Sequence, residues 1–334
     1  HTTLRQITTS KAARDVHRPA AAGAVCEGVY RGDVRQQGAT PSWALPIKRA
    51  PEPAMLDAPA TWANVQAYGA VADGVTDSSA AIRQAVNSGA STVYFPHGQY
   101  VVNDTVEVPS SVRRIEGMMS TITVNRYNSA PFWLGGGILK VTRAGDPLMI
   151  QRLNFDMTGK GGKLAIEYRG SATLILRDVV GAGLTLVDRS NTGGELFGDN
   201  LIAASMKFAG TSGIWLRQFD SEGSGVRIAN AGAPLWLLGL KTEQNATAVA
   251  NSAGAVTEVL GGLLYMVNPT TTPRPAFTND SSQLFAAYVE EAFLPAATYA
   301  VQLQDTTPLE EFSILSTSQP SRGVGRTVPA LSSD

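Results

Sequence analysis

Cysteine occurs once, at Cys26, so an intramolecular disulfide is impossible and no Cys or Cys/His set exists for a structural zinc site. Histidine is nearly as scarce: His1, His17 and His97 are the only three, and none lies beyond the first third of the chain. Charge is sparse and balanced, with 27 basic against 28 acidic residues and a formal net charge of -1. That balance offers no polyanion-binding surface, so nucleic acid is not expected as a partner. No apolar run approaches the roughly 20 residues of a membrane span, and none is expected. What remains is a 334-residue chain, 43% hydrophobic, with ample material for one long domain or two smaller ones. It starts at His1 with neither an initiating Met nor a signal peptide, and reads as a processed, trimmed or partly observed product. Three Asn-x-Ser/Thr sequons, at Asn103, Asn245 and Asn279, are about what chance supplies.

The most informative stretch runs from Val65 to Tyr100, VQAYGAVADGVTDSSAAIRQAVNSGASTVYFPHGQY. Gly69, Asp73 and Gly74 mark a tight loop, Asp77 is placed to N-cap a short helix with Ile82, Ala85 and Val86 on one face, and Gly89 ends it. Thr92 to Phe95 and Gln99 to Val102 then read as strands around a Pro96/Gly98 turn. Together these residues resemble the opening of the pectate-lyase-like right-handed parallel β-helices, of the pectate lyase 3 and rhamnogalacturonase/epimerase type, where a YGAxxDGxTDxxxAIxxAI helix precedes a VYFPxGxY strand pair. The resemblance covers roughly a tenth of the chain and implies a fold rather than a reaction, because hydrolases, lyases, epimerases and phage tailspikes share that scaffold.

Residues 1–45 form a polar, Ala- and Gly-rich arm that is expected to be a remnant coil of a preceding β-helix, or else a flexible arm or an N-terminal strand docking on its own β-helix. Prolines 46, 51, 53 and 59 then punctuate a linker over 46–63. The order of old coil, proline linker and new opening segment is similar to the tandem β-helices of exo-β-1,3-glucanase-type glycoside hydrolases. From 64 to 307 the sequence repeats near every 21 residues. Leu174, Leu196, Ile214, Leu235, Val256 and Leu284 occupy one slot; Leu184, Met206, Val226, Ala248 and Ala276 occupy a second. A coil of that length buries its apolar side only against its neighbours, which predicts an all-β solenoid, a right-handed parallel β-helix with a short N-terminal capping helix. Coils should stack about 4.8 Å apart. Asn230, Asn251 and Asn279 fall at matching turns and predict an internal asparagine ladder. The tail over 308–334 loses the pattern and is expected to be irregular.

Residues one period apart lie side by side, and this defines the candidate site. Glu222 and Glu243 are 21 apart, and Tyr265 follows 22 further on. Stacked carboxylates shift one another's pKa values and form the acid/base pair of a glycosidase; surface pairing with Lys241, Arg217 or Arg227 is the plain alternative. Asp220 and Lys241 lie near the same row, ready to balance charge or bind substrate. Trp215 and Trp236, again 21 apart, form a sugar-stacking platform if they face outward and ordinary packing if they are covered. Asp178 and Asp199 have the spacing of a carboxylate pair for calcium, but without further oxygen ligands that reading is weak, and no cofactor is expected. The NTD, DD, GHG and RIK motifs of polygalacturonase-like hydrolases are absent.

The expectation is therefore a secreted, bacterial-type carbohydrate-active β-helix, a glycoside hydrolase using Glu222 and Glu243 on a polysaccharide, with Trp215, Trp236, Tyr265, Lys241, Arg217, Arg227 and Asp220 binding substrate. Two alternatives stand beside it. One is a polysaccharide lyase on a uronic-acid polymer, with Lys241, Arg227 or Tyr265 as base. The other is a non-catalytic carbohydrate-binding or self-assembling module whose terminal arms exchange with a neighbour or follow a preceding β-helix.

Overall fold

A computed structural model describes residues 16–17, 45–52, 57–125, 136–159, 164–189, 193–294, 297–306, 311–315 and 326–333. Most of the expected arm lies outside the described residues. The fold is an all-β parallel solenoid with little helix. It divides into two compact units, residues 48–219 and residues 220–334 together with 1–47.

In the 48–219 unit the opening segment folds from its polar side chains inward. Asn64 accepts a hydrogen bond from the Gln66 amide and starts a 3-10 turn, Val65–Tyr68, which Gly69 ends at φ +96. Only glycine adopts that conformation without steric cost. Asp73 closes the next loop by accepting the Val75 and Thr76 amides and the Thr76 hydroxyl. These bonds hold its carboxyl below the usual range. An eight-residue helix, Ser79–Val86, buries Ile82, Ala85 and Val86. Its cap position is Ser78, not the expected Asp77. Asp77 still accepts the Ser79 amide at 2.9 Å and the Ser79 hydroxyl at 2.5 Å, so the same acid satisfies a first-turn donor from one residue further out.

Strands Thr92–Tyr94, Arg114–Thr123, Leu148–Asp156, Leu174–Arg189 and Leu196–Ala209 follow in parallel. Their alternation places Val93, Ile115, Ile150 and Leu176 in one register column, all at most 1% exposed. Each such side chain contributes about 1.5–3 kcal/mol of burial, and only because the next coil covers it. Arg152, Asp178, Asn200 and Gln218 sit at φ +51, +53, +54 and +55, one left-handed residue per coil where the strand bends. Asn and Asp tolerate this conformation better than most residues. The pairing steps over the bend: Arg177 is opposite Asp199 and Val179 opposite Leu201.

In the unit formed by 220–334, strands Gly225–Ala231, Ala246–Ser252, Phe277–Asp280 and Val301–Thr306 build one parallel face. Pro234–Thr242, Val256–Met266 and Gln283–Ala292 build another. Ile228, Val249, Phe277 and Leu303 form a fully buried column. The expected asparagine ladder is present. Asn230 donates to the Ala233 carbonyl at 2.9 Å, Asn251 to Asn279 at 3.3 Å, and Asn279 to Asp305 at 3.1 Å. Their registration over four coils satisfies turn groups that no water reaches.

Two details differ from the sequence reading. Leu235 and Leu284 share their slot with Thr257 rather than Val256, and Val226 is opposite Thr247 rather than Ala248. Each is a one-residue offset in a coil whose turn lengths vary. The tail, expected to be irregular, contains strands Glu311–Leu315 and Arg326–Ser333. These run antiparallel to Val301–Thr306 and Gln283–Ala292. No helix among the described residues is long and apolar enough to cross a membrane.

Candidate functional site

The two periods of the solenoid, two along a strand and one coil across strands, generate a grid on one face of the 220–334 unit. Asp220, Lys241, Leu263 and Val289 form one row, with Lys241 opposite Leu263 and Leu263 opposite Val289. Two residues along each strand, Glu222, Glu243, Tyr265 and Glu291 form the second, with Tyr265 opposite Glu291. Alternation puts all eight side chains on the same side of the sheet.

Lys241 is the hub. Its Nζ lies 3.2 Å from Asp220 Oδ2, 2.8 Å from Glu222 Oε1 and 2.7 Å from Glu243 Oε1. One oxygen of Glu222 and one of Glu243 meet the same Nζ, so those oxygens are no more than about 5.5 Å apart. Tyr265 donates its phenol to Glu243 Oε1. Phe293 meets the Tyr265 ring edge-on at 5.0 Å and 87°. Side-chain exposure runs from 57% for Glu222 through about a third for Asp220 and Lys241 to 18% for Glu243, so the grid opens to solvent at Glu222.

These contacts separate the carboxyl groups. Burial pushes Asp220 up and outweighs the hydrogen bond from Lys241, with repulsion from Glu222 and Glu243 adding to the rise. Burial acts the same way on Glu243, but hydrogen bonds from Lys241 and Tyr265 outweigh it and hold that carboxyl below its ordinary value. Burial and donation to Glu243 push the Tyr265 phenol up to about 12. Lys241 is desolvated, yet its three carboxylate partners more than compensate and raise it. Asp220 Oδ1 and Glu291 Oε1 are buried with no hydrogen-bond partner among the described residues.

The structure brings Asp220, Glu222, Lys241, Glu243 and Tyr265 together, while the other candidates make different contacts. Arg227 is 7% exposed, and its guanidinium donates to the carbonyls of Glu222, Ser224 and Gly225. It shapes the turn that carries Glu222. Trp236 is 3% exposed, and its register partner Glu258, 1% exposed, accepts the Leu45 amide at 3.0 Å. In the 48–219 unit Trp215 is 6% exposed, stacked on Phe197 at 4.9 Å and 15°, with Lys48 Nζ 4.8 Å from the ring centre. Arg217 donates to the Lys48 carbonyl at 3.2 Å. Both indoles are buried, at 6% and 3% exposure, and neither presents an open face for a sugar. The calcium pairing fails on register. Asp178 accepts from Asn200 at 2.7 Å, while Asp199 faces Arg177. Glu291 and Phe293 were not visible as site residues in the sequence, because residues 267–276 lengthen their coil and break the 21-residue count.

Comparison with known proteins agrees with the opening segment. The family described as rhamnogalacturonase A/epimerase, pectate lyase-like, matches residues 62–125. The non-secreted LysM effector LysM19 of Penicillium expansum is 31% identical over 111 residues, 31% of this chain and 9% of that protein. The chain thus spans about a tenth of that relative's length. Among solved structures, ORF18 of Geobacillus virus E2 is 15% identical with a TM-score of 0.42, covering 70% of this chain and 62% of that one. The N-terminal fragment of bacteriophage Phi29 gene product 12 is 15% identical with a TM-score of 0.40, covering 66% and 46%. The Streptococcus pneumoniae surface adhesin PfbA is 12% identical with a TM-score of 0.40, covering 73% and 88%. Residues 62–125 are thus similar to that family, and the coil register makes the chain a parallel β-solenoid.

Proposed function

We propose that this chain is an exported glycoside hydrolase acting on a polysaccharide, with Asp220 as general acid and Glu243 as the carboxylate nucleophile. The observation that carries the reading is the convergence of three carboxyl groups on one ammonium, 3.2 Å from Asp220, 2.8 Å from Glu222 and 2.7 Å from Glu243, within which burial raises Asp220 while hydrogen bonds lower Glu243. Environments that push neighbouring carboxyls apart in this way supply an acid and a base at the same pH. The pair differs from the one expected from spacing alone. Glu222 is the most exposed of the three acids and is left to bind a sugar hydroxyl.

In the first step Glu243 attacks the anomeric carbon while the Asp220 proton passes to the departing glycosidic oxygen. Asp220, now a carboxylate, then takes a proton from the water that cleaves the glycosyl-enzyme ester, which restores both groups. Lys241 and Tyr265 keep Glu243 ionised between turnovers. The three bases named for a lyase are engaged otherwise among the described residues. Lys241 is raised, Arg227 is committed to backbone carbonyls, and Tyr265 loses its proton only near 12.

The test is release of reducing ends from a panel of polysaccharides by the wild type and by Asp220→Asn, Glu243→Gln and Glu222→Gln. Removing the acid or the nucleophile should lower the rate by about 10²–10⁴-fold, and Glu222→Gln should act mainly on KM. Wild-type rates in both Asp220→Asn and Glu243→Gln would overturn the assignment.

A further inference from the structure

We infer that Phe293 and Glu291 form a sugar subsite beside Glu243 and that this subsite takes an uncharged, hydroxyl-rich sugar and rejects a uronate. The inference rests on the glycosidase reading for its location only, since it concerns binding and is read by binding.

Phe293 is a large apolar side chain left 44% exposed directly after a strand whose register places Glu291 next to Tyr265. Its ring contact with Tyr265 at 5.0 Å fixes its orientation, and Tyr265 is in turn tied to Glu243. An exposed ring linked through one side chain to a reactive carboxylate is the geometry of a stacking floor: the apolar face of a pyranose covers it while the ring substituents reach the polar grid. Leu263, 39% exposed and opposite Lys241 in the first row, extends the apolar strip.

The polar complement is one-sided. Glu291, opposite Tyr265 in register, is an acceptor-only carboxylate with one oxygen that has no donor among the described residues. Three carboxyl groups, Asp220, Glu222 and Glu243, share one ammonium, Lys241, and Glu291 adds a fourth carboxyl to the grid opposite Tyr265. A uronate would bring another acceptor-only, negatively charged group to a grid that needs donors and already has an excess of acid. A neutral sugar brings hydroxyl donors and an apolar face.

The experiment is isothermal titration calorimetry on the full chain carrying Asp220→Asn, so that turnover does not confuse binding. The probes are neutral hexasaccharides (β-1,3- and β-1,4-linked glucose, β-1,4-linked xylose and mannose) and hexagalacturonate. At least one neutral probe should bind while hexagalacturonate shows no measurable affinity. Adding Phe293→Ala should weaken the neutral probe by about tenfold, the upper end for one aromatic contact, and Phe293→Trp should restore it. Because Phe293 is exposed, its thermal midpoint should not move, which separates lost binding from lost folding. Glu291→Gln should bring hexagalacturonate affinity into the measurable range. Equal affinity for hexagalacturonate and the best neutral probe, no binding by any neutral probe, or an unchanged Phe293→Ala variant would overturn the inference. If binding follows Phe293 but the wild type releases no reducing ends from the bound sugar, the subsite stands and the hydrolase reading falls.

Discussion

Replacing Lys241 with methionine keeps most of the unbranched stem and removes the one cation that three carboxyl groups share. In the wild type its ammonium lies 2.7 to 3.2 Å from Glu243, Glu222 and Asp220. Two unit charges about 5 Å apart repel by about 0.8 kcal/mol in water and about 3 kcal/mol at an effective dielectric of 20. Glu222 is 57% exposed and its share is largely screened, whereas Glu243 at 18% lies nearer the higher figure. The net cost of Lys241→Met at pH 7 should be about 2 kcal/mol. The sign of its pH dependence is the sharper test. Glu243 has a lowered folded pKa, so in the wild type its contribution is present above its unfolded value near 4.5 and fades as pH falls. In the variant that lowering disappears, the three carboxylates repel, and protonating them relieves the strain. The difference in urea midpoint between wild type and variant should therefore be large at pH 7 and smaller at pH 4, shrinking further as the folded carboxyl protonates. The lysine's own raised pKa adds a loss in the wild type only above about 10.5, outside this window. A midpoint difference of the same size at both pH values would refute the shared-ammonium account.

Three further outcomes follow from the fold. Asn251→Ala removes a side chain that is 2% exposed and bonded to Asn230, Thr257, Asn279 and the Gln283 carbonyl; unfolding by urea should show a loss of about 2–4 kcal/mol, and a change under 0.5 would mean the ladder carries little. Gly198→Ala would place a methyl 2.5 Å from Leu201 Cδ1 and 2.7 Å from Leu216 Cδ2, so the thermal midpoint should fall by the equivalent of about 1–3 kcal/mol, and an unchanged midpoint would show that the two leucines repack without strain. Trp215→Ala should destabilise by about 3–5 kcal/mol, yet the surviving folded fraction should bind neutral hexasaccharides as the wild type does; a selective loss of sugar affinity would reinstate a platform there.

How far the sequence carries depends on which period a residue obeys. Asp220 with Lys241, Glu222 with Glu243, and Glu243 with Tyr265 were legible as neighbours because each pair is separated by one uninterrupted coil, and all three are in contact or share the same ammonium. Asp178 and Asp199 have the same 21-residue separation and are not paired. A left-handed bend residue occupies position 178 in one coil and 200 in the next, and the strand pairing steps over both. Counting therefore locates side chains on a face only between bends. Exposure is a different quantity, and periodicity is blind to it: Trp215 and Trp236 lie on outward strand positions just as a platform would, and distant residues of the chain, Lys48 for one and Leu45 beside the register partner of the other, turn them into packing. Phe293 shows the converse. Its coil is lengthened by residues 267–276, so no count from Tyr265 reaches it, and only the register of Val256–Met266 against Gln283–Ala292 reveals that an exposed ring follows directly on the strand carrying the neighbour of Tyr265. In a solenoid the regular coils thus disclose the reactive groups, while an irregular coil supplies the group that would distinguish one sugar from another, because an insertion is the one place where a side chain escapes the stacking that fixes all the rest.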